Sequence, residues 1–396
     1  MIALAMPARA LDFAYSGFGD ARLVAEPKMT GWLEGGLGKF RYGGNGGDVA
    51  FQGVGQGVVK FSDDLSVLVV ARADEEDVRG IDALEAYAAW HPASDGPLSW
   101  SVKAGAFFPT ISLENDDLGW TSPYTLTPSA INSWIGEELR TIGSEAILRW
   151  HSEIAGTFSL MAAVDCCNDP AGILMADRGW AMDDRPSGLF ERVRLPDATL
   201  KIFHAPYPGR TGMFDEIDHR AGLYGGLSWQ MAQIGKLSMV RYENQGDPAA
   251  ATASDTAWET KFWSFGARTD AGPLVLIAQQ LSGYTEVQSR GTEFPTKFQA
   301  GFLLASYDLE GLGFTDWRAS ARGDLFQTRH LGPAPSVMSE DGRALTMSLS
   351  WQGIDALRIT GEALLMHSRK GEYIAVGVPS GEFDQNQFQL DARLFF

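Results

Sequence analysis

Gln387–Phe396 reads QFQLDARLFF. Phe388, Leu390, Ala392, Leu394 and Phe396 share one parity; Gln389, Asp391, Arg393 and Phe395 share the other. A strand puts alternate side chains on opposite faces, so this stretch has one wholly apolar face and one mostly polar face. The same rhythm runs back through the chain. Leu345, Met347, Leu349 and Trp351 oppose Thr346, Ser348 and Ser350. Phe298, Ala300, Phe302 and Leu304 oppose Lys297, Gln299 and Gly301, and Leu84, Ala86, Ala88 and Trp90 oppose Glu85, Tyr87 and Ala89.

Sixteen such segments are expected, near 12–22, 49–60, 65–74, 80–91, 98–108, 143–153, 156–166, 220–231, 236–244, 257–269, 273–284, 296–307, 311–323, 343–353, 356–368 and 386–396. The stretch 236–284 alternates poorly, which implies a bulge or a register shift there. The connections sort by parity. One set is short, such as 62–64, 270–272 and 354–355; the other is mostly long, above all 109–142 and 167–219. That layout is the one expected of an all-β fold in which a closed antiparallel transmembrane β-barrel has short periplasmic turns and long extracellular loops. A sheet in lipid must pair every backbone group, so it must close on itself. The apolar parity is then expected to face lipid and the polar parity the lumen.

Composition removes other classes. A formal net charge of -18 repels a phosphate backbone, so no nucleic-acid partner is expected. Two cysteines in 396 residues do not make a disulfide scaffold. No run of apolar residues approaches the length of a transmembrane helix. Met1–Ala10, MIALAMPARA, reads as a signal-peptide remnant with Ala8-Arg9-Ala10 as an A-x-A cleavage site, leaving 11–396 as one barrel domain.

On the terminal strand ending in Phe396, the Ala8-Arg9-Ala10 remnant and the hairpin rhythm from Leu11 to Phe396, the chain resembles a bacterial outer-membrane porin of Gram-negative type. The resemblance is architectural and covers essentially the whole mature chain. It implies outer-membrane localisation and passive diffusion of ions and small polar solutes. It also implies lipid and lipopolysaccharide around the barrel, and recognition of the C-terminal strand by barrel-assembly machinery. A homotrimer is a further implication, weakened by the short loop 75–79. Porins of sixteen strands fold the loop after the fifth strand into the lumen, which here is 109–142. Its Glu114, Asp116 and Asp117 would form the acidic side of a constriction, and Pro128-Ser129 would cap a short helix over 130–141. Arg22, Arg318, Arg322, Arg358 and Arg393 lie at polar-parity positions and would form the facing basic wall, with Arg149 and Arg220 as further inward candidates. The competing reading pairs the arginines with Glu145, Asp316, Glu362 and Asp391 as structural ion pairs. Loop 167–219 is longer than 109–142 and could itself be the plug.

Other chemistry is weakly signalled. No cofactor or metal is expected, because the six histidines are scattered without metal-ligand spacing. Cys166-Cys167 is expected to be two ordinary thiols at a strand end, since adjacent Cα atoms sit closer than a disulfide usually allows. A wall hydrolase would need Ser and His on the outer face, whereas His151 and Ser159 are expected to point inward. The alternatives to a diffusion channel are a barrel without an open pore, enzyme or adhesin, and a soluble periplasmic all-β binding protein.

Overall fold

A computed structural model describes residues 11–75, 79–197, 209–289, 291–332, 338–375, 377–378 and 380–396. The signal remnant 1–10 lies outside them. The first half of the barrel is β1 (Asp12–Ala25), β2 (Asp48–Lys60), β3 (Leu65–Asp74), β4 (Ile81–Trp90), β5 (Leu98–Phe107), β6 (Thr141–Ser152) and β7 (Gly156–Cys166). A separate two-stranded ribbon follows, β8 (Arg192–Arg194) with β9 (Arg210–Gly212). The barrel resumes with β10 (Gly222–Met231), β11 (Gly235–Glu243), β12 (Glu259–Ala271), β13 (Leu274–Ser289) and β14 (Thr292–Asp308). It ends with β15 (Trp317–His330), β16 (Glu340–Ile354), β17 (Leu357–Lys370) and β18 (Glu382–Phe395).

These sixteen strands form one closed antiparallel barrel in which each strand pairs with its sequence neighbours and β7 pairs with β10. Closure is made by Gln387–Phe396 pairing with β1: Arg22 stands opposite Asp391, and Ala25 opposite Phe388. The last residue completes it, because Gly17 and Phe396 exchange backbone hydrogen bonds of 2.9 and 3.0 Å. Closure leaves no sheet edge, as a spanning sheet requires. The outward face carries an apolar belt, with Phe13, Trp100, Leu160, Leu303, Leu325 and Leu394 all exposed. That belt argues against a soluble binding protein.

Several local expectations are corrected. The segment expected at 311–323 is β15, Trp317–His330, because residues 309–316 form a wider turn. No register shift occurs in 236–284. Bulges sit instead at Val70/Ala71 and at Trp351/Ile354. The first of these breaks the parity of β4: Leu84 turns inward and is fully buried, while Trp90 stays outward and exposed. On β14 the expected faces are exchanged. Phe298, Ala300, Phe302 and Leu304 are buried inside the barrel, and Lys297 and Gln299 are exposed outside it. The cause is what fills the lumen. Apolar side chains from the long loops need apolar wall partners, so Phe262, Ile277, Leu281 and Phe298 join them in one core inside the barrel.

Cys166 and Cys167 are also corrected. They form a vicinal disulfide, with Cα atoms 3.7 Å apart. Cys167 adopts φ 67°, a left-handed turn that folds the dipeptide back on itself.

Candidate functional site in the barrel lumen

The segment after β5 folds inward and carries helix α1 (Ala130–Glu138), every residue of which is buried. Ser129 caps it as its sequence position indicates: its Oγ accepts the Asn132 N–H at 3.3 Å. The helix ends at Glu138, short of the expected 141. One wall arginine holds this loop. Arg322, fully buried, pairs with Glu114 at 2.7 Å and with Asp324 at 2.8 Å. Its guanidinium also donates to the carbonyls of Thr127 at 2.8 Å and Pro128 at 3.0 Å. Around it, the Glu362 carboxylate accepts the Leu126 N–H at 2.7 Å, and Asp324 accepts the Ala130 N–H at 3.2 Å. Five donors in a fixed fork suit one arginine to gather several acceptors at once.

The segment after β7 also enters the lumen and carries the short helix α2 (Ile173–Asp177). An alternating charge chain ties it to the wall. Asp184 pairs with Arg22, and with Arg41 at 3.3 Å. Arg22 reaches Asp391 at 3.3 Å, and Arg393 reaches Asp20 at 2.7 Å. Arg185 pairs with Glu191 at 2.7 Å, and Glu191 also faces Arg72 at 3.4 Å. Burial alone would raise the Asp184 carboxyl, but Arg22 and Arg41 override it and hold the group well below the usual carboxylate range. The two loops meet at an aromatic centre: the Trp134 ring lies 5.1 Å from Phe298, 5.5 Å from Phe262 and 6.0 Å from Trp180, centroid to centroid. Glu137 of α1 binds Arg178 just beyond α2.

All five arginines singled out from the sequence point into the barrel, but they do not form one free wall. Arg322 is sealed under loop 109–142, and Arg22 and Arg393 belong to the buried chain around Asp20. Arg318 is part-exposed beside Asp308, at 3.4 Å. Arg358 lies over the Phe395 ring, 5.2 Å from its centroid. The acidic trio separates likewise. Glu114 touches Arg322 directly, while Asp116 pairs with Arg268 at 3.0 Å. Asp117 bridges by backbone to Thr121. Of the competing pairs, Asp391 does bind Arg22, whereas Glu145 binds Lys103 at 3.1 Å. Arg220 sits exposed on Asp247, at 2.8 Å, and does not point into the lumen.

Towards the short turns the lumen widens into a vestibule lined by half-buried cations: Lys103, Arg149, Lys236, Arg268, Arg318 and Arg358. Lys103 and Lys236 were not singled out because neither strand carries another charge at its polar parity, and Arg268 because β12 alternates poorly, although Asp270 at the same parity pairs with it at 3.1 Å. Arg149, Lys236 and Arg358 make no ion pair among the described residues, although Asp116 attracts Lys236, and Asp117, Asp391 and Asp20 attract Arg358, at longer range.

His151 lies at the short-turn rim, with Nε2 2.9 Å from Ser99 Oγ and Nδ1 3.1 Å from Thr157 Oγ1. A nucleophilic triad needs a carboxylate at the second nitrogen. Thr157 occupies that place.

OmpT, an outer membrane protein of Vibrio cholerae, matches with a TM-score of 0.54 at 9% identity, over 99% of each chain. OmpF of Salmonella typhi, in complex with daunomycin, matches with a TM-score of 0.52 at 11% identity, over 97% of each chain. An anion-selective porin from Comamonas acidovorans matches with a TM-score of 0.52 at 11% identity, over 98% of this chain and all of that one. The fold is that of the bacterial outer-membrane porins. No family model matches the chain, and no curated protein matches it. The long-loop half of the lumen is filled by buried side chains from both inward segments.

Glu138 makes the seating of that filling pH-dependent. Burial pushes its carboxyl up from 4.5 to about 7, against the lowering effect of hydrogen bonds from the Leu174 N–H at 2.7 Å and the Trp134 indole. A raised carboxyl favours the buried state when protonated, so this contribution is full at low pH and is lost as pH rises through about 7. Lys39, held down to about 8 by burial, titrates above that window. Hydrogen exchange of α1 amides, corrected for intrinsic chemistry, is therefore expected to accelerate progressively from about pH 4.5 to about pH 7 and to level off above that. Glu138→Gln should flatten the profile; an equal slope in both proteins would remove Glu138 from the account.

Proposed function

We propose that the protein is an outer-membrane channel, not an enzyme, passing small polar solutes with a preference for anions, and that the described state is its closed state. The observation that carries this reading is the contrast along the lumen axis. The periplasmic half is a vestibule with the unpaired cations Arg149, Lys236 and Arg358. The extracellular half is closed by the segments 109–142 and 167–197, seated on the wall largely through hydrogen bonds and ion pairs, which can be exchanged for water. In this reading Arg358 acts on permeating ions, while Arg393 is neutralised by Asp20 and acts on stability. Arg358→Ala should shift the reversal potential under a salt gradient towards cations, and Arg393→Ala should leave its sign unchanged. A reversal potential unmoved by neutralising Arg149, Lys236 and Arg358 together would overturn the anion preference.

The second reading is a barrel without an open pore. The dry aromatic centre of Trp134, Trp180, Phe262 and Phe298 favours it, because packing of this kind is costly to open. Conductance separates the two.

The C-terminal strand is proposed as the element read by barrel-assembly machinery. Phe396 is exposed and also closes the barrel on Gly17. Deleting Phe396 is expected to lower the yield of folded barrel in membranes severalfold, read by heat-dependent migration. Unchanged yield would place assembly recognition elsewhere.

A further inference from the structure

The reversed strand β14 leaves polar groups on the face that meets lipid. Lys297 and Arg329 are both exposed and stand directly opposite each other on β14 and β15. One register step towards the apolar belt, Gln299 stands opposite Gln327, and Ser282 of β13 opposite Gln299. These groups line a cleft of about 400 Å³ on the wall. Among neighbouring outward cations Arg369 pairs with Asp341 at 2.7 Å, Arg241 with Glu243 at 3.0 Å and Lys261 with Glu259 at 2.6 Å, while Arg343, opposite Leu325, has no ion pair among the described residues. Lys297 and Arg329 have no ion pair among the described residues. An unpaired cation pair at the upper edge of an apolar belt calls for an anion supplied from outside the protein.

The cleft does not end at the amides. Gln299 and Gln327 also border a second, larger hollow of about 860 Å³, lined outward mainly by Phe265, Ala278, Gly301, Leu303, Gly323 and Leu325, with the polar Gln280 and Asp341 also exposed at it. Its floor is low because of two glycines. A Cβ at Gly323 would meet nothing within 4 Å, and one at Gly301 only ordinary contacts from 3.4 Å. From Gly301 to Lys297 is four residues, about 13 Å along the strand. A trough of apolar side chains thus runs into an amide-lined neck and ends at two cations.

We propose that this groove across β13, β14 and β15 binds a phosphate-bearing acylated lipid of the outer leaflet. Its phosphate would lie between Lys297 and Arg329, and one acyl chain along the Gly301–Gly323 trough. Charge complementarity fixes the headgroup, the apolar trough fixes the chain, and the amides of Gln299 and Gln327 satisfy the ester region between them. The inference rests on the membrane reading above, yet its test does not depend on conductance.

The test is native mass spectrometry of the full barrel in detergent, with lipid A as the probe. Phosphatidylcholine of matched chain length and inorganic phosphate serve as comparators. The wild-type protein is expected to retain lipid A in preference to phosphatidylcholine. Lys297→Ala with Arg329→Ala should weaken retention at least tenfold. Gly323→Leu, which fills the trough without a clash, should weaken it comparably with both cations intact, and Arg241→Ala should not change it. Heat-dependent migration verifies that each variant is folded, and Lys297→Gln alone serves if the double variant is not. Retention unchanged in the cation variants or in Gly323→Leu would overturn the proposal. So would equal retention of phosphatidylcholine, or displacement of lipid A by equimolar inorganic phosphate, which would reveal a simple anion site. Failure of the barrel to enter vesicles at all would instead refute the membrane reading.

Discussion

Arg322→Ala is expected to release loop 109–142 from the wall. The substitution removes one partner of a fully buried ion pair and leaves Glu114 and Asp324 facing each other without their cation. Breaking a buried pair in this way costs about 3–5 kcal/mol, because the surviving charge stays desolvated. The carbonyls of Thr127 and Pro128 lose their donor in the same step. The strands of the barrel keep their own ladder, so the cost falls on the loop. The expected result is a folded barrel with new protease cleavage within 109–142 and enlarged single-channel conductance. Arg322→Lys should restore little, since an ammonium cannot reach the same set of acceptors as a planar fork. A variant as resistant to protease as the wild type would show that the loop is held by its packing and not by this cation.

Trp134→Ala tests that packing. Trp134 is buried to 1% exposure between Trp180, Phe262 and Phe298, and it joins α1 to the inward face of β12 and β14. Truncating a buried tryptophan costs about 3–5 kcal/mol through lost transfer energy and an unfilled cavity. The substitution lies on α1, so the loop should loosen while the barrel ladder persists. Its consequence should differ from that of Arg322→Ala in one respect. It removes contacts to both inward segments, so protection should fall in 167–195 as well as in 109–142. Loss confined to 109–142 would mean that the two segments are seated independently.

Much of the barrel was legible because each lipid-crossing strand states its own period. QFQLDARLFF identifies β18, its inward Arg393 and Asp391, and its outward Phe388 and Leu390 without reference to any other part of the chain. The parity of loop lengths then supplies the hairpins. The errors share a cause. On β14 both faces contain residues that fit a barrel, and what decides between them is the content of the lumen, which comes from segments far away in sequence. Phe298 points inward because Trp134 and Trp180 are there to receive it. Leu84 turns inward at a bulge that no local pattern marks. The site was half legible for the same reason. Parity places Arg22, Arg322 and Arg393 inside, but their partners come from distant segments. Asp184 and Glu114 reach them only after the loops have folded in. A wall of arginines and a cluster of acids look, as lists of residues, like two sides of a gap; contact between them turns the gap into a seal.

The most direct measurement is single-channel recording of the wild-type protein and Arg322→Ala side by side in planar bilayers. Insertion should be verified in each case by protease protection. The account predicts that the wild type stays closed most of the time, with small, brief steps, and that Arg322→Ala gives larger and longer steps with an anion-preferring reversal potential. Two inserted proteins that both fail to conduct would contradict it, and would leave a permanently closed barrel. A wild type already fully open, with conductance unchanged by the substitution, would contradict it equally.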